Sequence, residues 1–479
     1  MLSKSFGANL GGGVREMTTG KQRINRIIFP LGTFLIATNL LAIPPRPVPA
    51  DNYTDRDRKY VVEMLHTIQN DLDTKYFDPT FHGVDMKGRF LDAEARILNS
   101  KSYREAIESL EWVLEGLDDS HTFLIPPLQS FQVDYGFEFQ FYGNNCYITR
   151  VKKGSDAEKK GLKTGDQLLG IDGRKLARSD LSRLTRSLYL VSPRAVTHLA
   201  VLSPGEKSLR TLGVETKVHP FPQLLDADST RDSGFDINWR LRNLESSMEA
   251  RKPTRAEIAD VLVWRQPSFL PSYDPSASVD NSAEPLGEKP ASLLGRANNK
   301  RGLVLDLRGN LGGSVKAEKW LLAGIFDHDV HVYDIVSRGQ AKTEILKSQG
   351  KHAFAGFLIV LVDSASSSAA EVFARVVQLE KRGLIMGDHT SGQVRESLLL
   401  RHNVFQAGST PQYVVSMSVA DLILADGRSL EGSGVIPDIL MLPTQQDLAA
   451  GRDPVLAEAL KLLGRPMDPE QAGKLVRPK

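Results

Sequence analysis

The spacing of apolar positions changes character along the chain. From Asp55 onward Val61, Val62, Leu65, Ile68 and Leu72 recur at helical intervals, and Tyr103 to Leu117 repeats the pattern with Ala106, Leu110, Val113 and Leu114. This predicts a small helical domain over residues 51–127, ending at Asp118-Asp119-Ser120-His121-Thr122-Phe123 before Pro126-Pro127 stops any helix. Strict alternation follows in Phe137-Glu138-Phe139-Gln140-Phe141 and, after the turn signal Gly143-Asn144-Asn145, in Tyr147–Val151, so the texture changes from helical to sheet in a β-rich module. Residues 219–297 lose any sustained period and read as a helix around Leu241–Ala250 followed by a flexible insertion through the Pro-rich stretch Pro267 to Pro290. Beyond them, strand-like runs at Leu303–Arg308, Gly356–Val362 and Gly383–Met386 interleave with helical segments at Ala317–Ile325 and Ala369–Gln378. The expected fold class is therefore α/β within an α+β multidomain chain, with an α/β core over 298–445 and a C-terminal tail over 446–479.

Composition narrows the partners. The 479 residues are 41% hydrophobic and 25% charged, within the range of globular proteins. Sixty basic residues against 58 acidic ones leave a net charge of +2, which gives no drive toward nucleic acid. Cys146 is the single cysteine, so an intrachain disulfide, a zinc knuckle or a CxxC redox pair is excluded. Residues 1–50 have a separate logic: Lys21, Arg23 and Arg26 precede the apolar run Ile27–Ala42 and then a Pro-rich stretch, the order of a secretory signal or membrane anchor. Export to a periplasmic, extracellular or outer membrane-face location is expected, with residues 27–42 as the membrane-attaching segment if they stay on the chain.

Within the β-rich module, Tyr135-Gly136-Phe137, a short helix ending at Gly161, the Gly165-Asp166 turn and the strand closed by Asp172-Gly173 together resemble a PDZ domain, over about residues 130–218. The resemblance implies binding of polypeptides by strand addition, with loop amides at Gly136 and Phe137 holding a terminal carboxylate.

Two segments carry candidate chemistry. In Leu358–Glu371 a hydrophobic strand runs through Asp363-Ser364-Ala365-Ser366-Ser367-Ser368 into a helix, a junction that can expose a serine hydroxyl beside free helix N-terminal amides. In Leu305-Asp306-Leu307-Arg308-Gly309-Asn310-Leu311-Gly312-Gly313 a strand leaves into a glycine turn whose amides can approach a substrate oxygen. With Gly387-Asp388-His389-Thr390-Ser391-Gly392 and Leu430-Glu431-Gly432-Ser433-Gly434-Val435-Ile436-Pro437-Asp438, these segments resemble the tail-specific, or carboxyl-terminal processing, serine peptidases in order over most of residues 55–445.

The resemblance implies a nucleophile three residues before the motif glutamate, Ser368 before Glu371, with Ser364, Ser366 and Ser367 as decoys. It implies oxyanion donors at Ala369 and at Gly312 or Gly313. Where the bacterial branch has a lysine base this chain has Gln393, which cannot take a proton at neutral pH. Asp119-Ser120-His121-Thr122 instead resembles the Ser-His pair of the tricorn-like branch, implying His121 as base with Ser120 and Glu431 orienting it; His389 is the rival base. No helix carries a metal-ligand spacing, so neither metal nor other cofactor is expected. The expected activity is an exported serine endopeptidase acting on polypeptides. A non-catalytic peptide-binding scaffold and an esterase or amidase using the same serine are the alternatives.

Overall fold

The computed structural model describes residues 53–127, 131–191, 193–220, 254–269, 295, 297, 299–403 and 412–475. The segment expected as signal or anchor, the helix expected at Leu241–Ala250 and most of the Pro-rich stretch lie outside them. Among the described residues no helix is long and apolar enough to cross a membrane.

Three helices open the fold: α1 (Asp55–Lys75), α2 (Met86–Asn99) and α3 (Tyr103–Glu115). Each starts where a short polar side chain, of Thr54, Asp85 or Ser102, accepts an otherwise orphaned backbone N–H. Their apolar stripe, with Leu65, Ile68, Leu110 and Leu114, does not close on itself. It packs also on Tyr413, Val415 and Met417, so the helices share one core with a sheet far along the chain. The link is strand β1 (Phe123–Ile125), and each large side chain buried in that seam is worth about 1.5–3 kcal/mol.

The alternating module folds as sequence alternation requires. Strand β2 (Phe131–Asp134) pairs with a distant partner described below, while β3 (Phe137–Tyr142) and β4 (Asn145–Val151) form a hairpin. After the short helix α4 (Asp156–Lys159) come β5 (Gln167–Ile171), β6 (Arg174–Lys175), helix α5 (Leu181–Arg186), β7 (Val196–Leu202) and β8 (Arg210–Glu215). The sheet order is β3-β4-β5-β7-β8, and β9 (Lys217–Pro220) returns to pair with β2. Phe137, Phe139 and Phe141 face one core while Glu138, Gln140 and Tyr142 alternate outward.

The third body holds two sheets. In the first, β10 (Thr254–Ile258), β11 (Val261–Arg265), β12 (Gly302–Asp306), β15 (Phe357–Val362), β16 (Leu384–Gly387) and β19 (Ile439–Leu440) lie side by side, parallel from β11 onward. Alternate residues of β15 go to opposite cores: Leu358, Val360 and Val362 meet helices α6 (Val315–Ala323) and α7 (Ala369–Leu379), whereas Ile359 and Leu361 meet the C-terminal helices. Burial on both faces explains why these strands read as continuous apolar runs. The second sheet is antiparallel, with order β1-β18-β13-β14 and β17 on β18, built from β13 (Val330–Ser337), β14 (Gln340–Leu346), β17 (Arg395–Asn403) and β18 (Gln412–Leu424).

Two expected boundaries move. Strands β10 and β11 belong to the main sheet, so the α/β core begins within the segment expected as insertion. The expected tail over 446–479 contains helices α8 (Gln445–Ala450), α9 (Pro454–Leu462) and α10 (Pro469–Leu475). Val455, Leu456, Leu460 and Ala472 from these last helices cover Val304, Ile359 and Leu361, which would otherwise face water.

Candidate active site

Strand β15 ends at Asp363, and the serine turn that follows is folded by its own polar groups. Asp363 Oδ1 accepts from the N–H groups of Gly309 (2.9 Å) and Ala365 (3.0 Å), which ties this turn to the glycine turn after β12. The decoy serines are all committed to backbone carbonyls: Ser364 Oγ to Phe141 (2.5 Å), Ser366 Oγ to Leu307 (2.8 Å) and Ser367 Oγ to Leu311 (3.2 Å). Ser368 Oγ alone among them is buried without a hydrogen-bond partner. Ser368 stands at the N-cap of α7 with φ 55° and ψ −123°, a conformation that costs a non-glycine residue about 1–3 kcal/mol. Its N–H is held by Gln393 O (3.0 Å) and Glu371 Oε2 (2.9 Å). The strain is therefore over-determined by neighbours, and the hydroxyl is left available.

Glu371 organises this side. Its carboxylate accepts from the N–H groups of Ser368, Gly392 (2.7 Å) and Gln393 (2.9 Å) and from Thr390 Oγ1 (2.5 Å). Burial pushes its pKa up to about 7, and those four donors work against the rise.

The opposite side comes from the loop between α3 and β1. Ser120 N–H donates to Glu431 Oε1 (2.9 Å), Ser120 Oγ to Glu431 Oε2 (3.0 Å), and Ser120 Oγ lies 2.7 Å from His121 Nδ1. Because the Ser120 hydroxyl donates to the carboxylate, it accepts from Nδ1–H, which leaves Nε2 bare and basic. His121 Nε2 is indeed buried with no partner, the counterpart of the orphaned Ser368 hydroxyl; the two do not bond to one another here. The sides are joined through consecutive residues: Gln393 O receives Ser368 N–H, and Val394 N–H donates to Glu431 Oε2 (2.8 Å). Four sequence-expected residues, Ser368, His121, Ser120 and Glu431, are thus brought onto one hydrogen-bonded frame. His389 has no ring hydrogen bond into that frame among the described residues, and its loop is gripped instead by Arg178, which donates to Asp388 Oδ2 (3.0 Å) and to Thr390 O (3.3 Å).

The sequence did not point to the charges around the histidine. Asp119 Oδ1 accepts from His121 N–H (2.9 Å), Thr122 N–H (3.1 Å) and Ser418 Oγ (2.7 Å), and Asp119 Oδ2 from Tyr76 O–H (2.9 Å). Arg395 lies 3.5 Å from Asp119, 3.8 Å from Glu431 and 3.4 Å from Asp421. Desolvation, chiefly, lowers the His121 pKa to about 4, and desolvation with Asp119 raises that of Glu431 to about 8 against the pull of Arg395. Asp119 adjoins the Ser-His pair and Arg395 follows Gln393 by two, yet only their burial marks them, and burial of a charge is not written in local sequence.

The glycine turn corrects one expectation. Gly312 lies against the serine: a Cβ there would sit 2.8 Å from Ser368 Cβ and 3.0 Å from Ala369 N. Its own N–H, however, is consumed by Asn310 Oδ1 (2.7 Å). Gly313, at φ 130°, and Ala369, at the first helical position, keep amides without internal acceptors among the described residues. Asn310 Nδ2 donates to Gln266 O (2.9 Å), and Arg308 clamps Asp306 (2.8 Å) and Asp453 (2.9 and 2.7 Å), so both residues hold the turn. No cluster of metal-ligating side chains occurs among the described residues.

In the β-rich module, the Phe137 side chain packs in the core beside Tyr135, edge to face, and Phe139, so only its main chain is left to meet a ligand. The Gly136 N–H donates to Asp134 Oδ1 (2.8 Å), so this amide is not open to a ligand. The module abuts the serine turn: Gln140 Nε2 donates to Asp363 Oδ2 (2.7 Å), and Gly143 N–H to Asp388 Oδ2 (2.9 Å).

Residues 279–441 match Peptidase family S41 and residues 130–187 match the PDZ domain. The chain is 25% identical over 266 residues to the tail-specific protease of Haemophilus influenzae, covering 50% of this chain and 37% of that protein. It is 21% identical over 340 residues to the carboxy-terminal processing protease CtpA of Bacillus subtilis, covering 69% and 62%. It therefore spans less than two thirds of the length of either relative. Among solved structures, mature CPAF complexed with lactacystin superposes with a TM-score of 0.59 at 17% identity over 82% of this chain and 96% of that one, a likeness of fold.

Proposed function

Taking the Peptidase family S41 domain at residues 279–441 and the PDZ domain at 130–187 as its premise, we propose that the chain is a serine endopeptidase of the tail-specific processing type, with Ser368 as nucleophile and His121 as base. One observation carries the reading: among the serines of the turn only Ser368 has an uncommitted hydroxyl, and among the described residues the buried imidazole nitrogen left without a partner is His121 Nε2.

Ser368 Oγ attacks the scissile carbonyl carbon as its proton passes to His121 Nε2. The imidazolium is stabilised through Ser120 by Glu431, and the tetrahedral oxyanion takes the N–H groups of Ala369 and Gly313. Collapse expels the amine, protonated by His121, and leaves an acyl ester on Ser368, which water hydrolyses by the same route. Both Ser368 and His121 have no solvent exposure, so a substrate chain reaches them only as the elements around the serine turn part. Residues 1–50 support export of the chain by their basic, apolar and Pro-rich order, which cell fractionation with N-terminal sequencing checks.

The test is hydrolysis of a denatured protein together with fluorophosphonate labelling. The native chain is expected to cleave and to be labelled, and Ser368→Ala to do neither while keeping its circular dichroism. Undiminished proteolysis by Ser368→Ala would sink the assignment.

A further inference from the structure

The loop that opens strand β3 has the shape of an anion cradle but not its charge. Gly136 adopts φ 75°, and a Cβ there would lie 2.5 Å from Ser155 Cβ, so the turn tolerates glycine alone. Such a turn offers its amides to a carboxylate. Here a carboxylate of the chain itself has taken the place: Asp134 Oδ1 accepts the Gly136 N–H at 2.8 Å, and Asp134 Oδ2 receives Lys152 Nζ at 2.5 Å. The carbonyl of Gly136 is likewise used, by Lys152 N–H (2.8 Å) and Ser155 Oγ (3.3 Å). Asp134 is 5% exposed, so it is built into the loop rather than swinging over it. An incoming terminal carboxylate meets a donor already used, a cation already neutralised and a like charge.

The rest of the strand remains fit for a polypeptide. Among the described residues β3 pairs with β4 only, and its other edge ends where Ser364 Oγ donates to Phe141 O, four residues before Ser368. An extended segment added to that edge gains main-chain hydrogen bonds without needing a chain end.

We propose that Asp134 is a specificity residue that excludes terminal carboxylates from the PDZ module, and that the ligand taken there is an internal, extended stretch of polypeptide laid along β3. This rests on the peptidase reading for its purpose, but its test does not require turnover.

The test uses the full chain carrying Ser368→Ala and one fluorescent unstructured peptide prepared with a free carboxylate and as the carboxamide, with binding read by anisotropy. The two forms are expected to bind within about twofold of each other. In addition, Asp134→Ala, which frees both the Gly136 amide and Lys152, is expected to favour the free acid by about tenfold, the worth of one recovered charge-assisted hydrogen bond. Lys152→Met placed on Asp134→Ala should reduce that gain. Asp134→Asn keeps an oxygen acceptor on the Gly136 N–H but releases Lys152 and removes the like charge, so it should show an acid preference between those of the parent and Asp134→Ala, which guards against a general loss of folding in the alanine form. A parent that binds the free acid tenfold more tightly than the amide overturns the proposal, as does an Asp134→Ala form that folds, binds and shows no acid preference. Absence of binding by either peptide to every form overturns the β3 groove itself.

Discussion

The serine side and the histidine side of the candidate site are held by different means. Around Ser368 the work is done mostly by the main chain: a positive φ, a glycine turn pressed against the serine, and three backbone N–H groups gathered on Glu371. Around His121 it is done by side chains from distant segments, with Ser120 and Glu431 meeting across 311 residues and Arg395 serving Asp119 and Glu431 together. The first arrangement is rigid and local. The second is an electrostatic balance among Asp119, Arg395 and Glu431, so a conservative charge change at one should be felt by the others, whereas the serine side turns on one titratable group, Glu371, with its pKa near 7.

The largest expected effect treats the two sides alike. Ser368→Ala and His121→Ala should each lower kcat/KM for peptide hydrolysis by about 10⁴-fold or more, because a nucleophile and its base act as a unit. A His121→Ala form that retained a tenth of the activity would dissolve the pairing.

Next, Glu431→Gln keeps the shape of the side chain but removes its charge, and a loss of about 10²-fold is expected at pH 8. In the parent the Ser120 hydroxyl must donate to an ionised Glu431 for His121 Nε2 to stay bare, so kcat/KM should rise with pH as Glu431, with its pKa near 8, gives up its proton. The Glu431→Gln form should lose that limb, and a pH–rate profile with the parent's shape would remove Glu431 from the frame.

A smaller effect is expected at Gln393. The frame uses its backbone O and N–H, both of which alanine preserves, so Gln393→Ala should cost less than about tenfold in kcat. A loss equal to that of His121→Ala would point to another base network.

Stability distinguishes the two sides least but in a definite sense. The folded Glu431 carboxyl is held near 8 and the unfolded one near ~4.3, so the folded state binds the proton more tightly; the stability this lends is present below ~4.3 and is lost as pH rises toward 8. Buried His121, near 4 against its ordinary 6.5, has the opposite slope, with stability lost as pH falls from 6.5 toward 4. The thermal midpoint of Glu431→Gln relative to the parent should therefore gain more at pH 8 than at pH 5, as calorimetry at the two values will report.

The same division decided what could be read from sequence. Strands β12, β15 and β16 and helix α7 fell within a few residues of their expected places, since apolar runs and the serine turn are local signals. The antiparallel sheet was not anticipated, because β1, β13 and β18 find each other only across long stretches of chain. Val455 and Leu456 looked like part of a tail because nothing nearby in sequence shows the sheet face they cover. Ser120, His121 and Glu431 reached the frame through a family resemblance, not through spacing. Asp119 and Arg395 had no such guide. Gly136 shows the converse failure: its turn was legible, but the carboxylate two residues earlier that fills it was not read as its occupant.

The Arg308 clamp on Asp453 has a consequence in genetic terms. It makes the glycine turn beside Ser368 dependent on a residue near the far end of the chain, so a frameshift or early stop ahead of α9 would score as loss of catalysis even though every proposed reacting residue had been translated. A collection of inactive alleles should accordingly contain late truncations alongside substitutions at the serine turn, and their common lesion would be a turn that has lost its anchor.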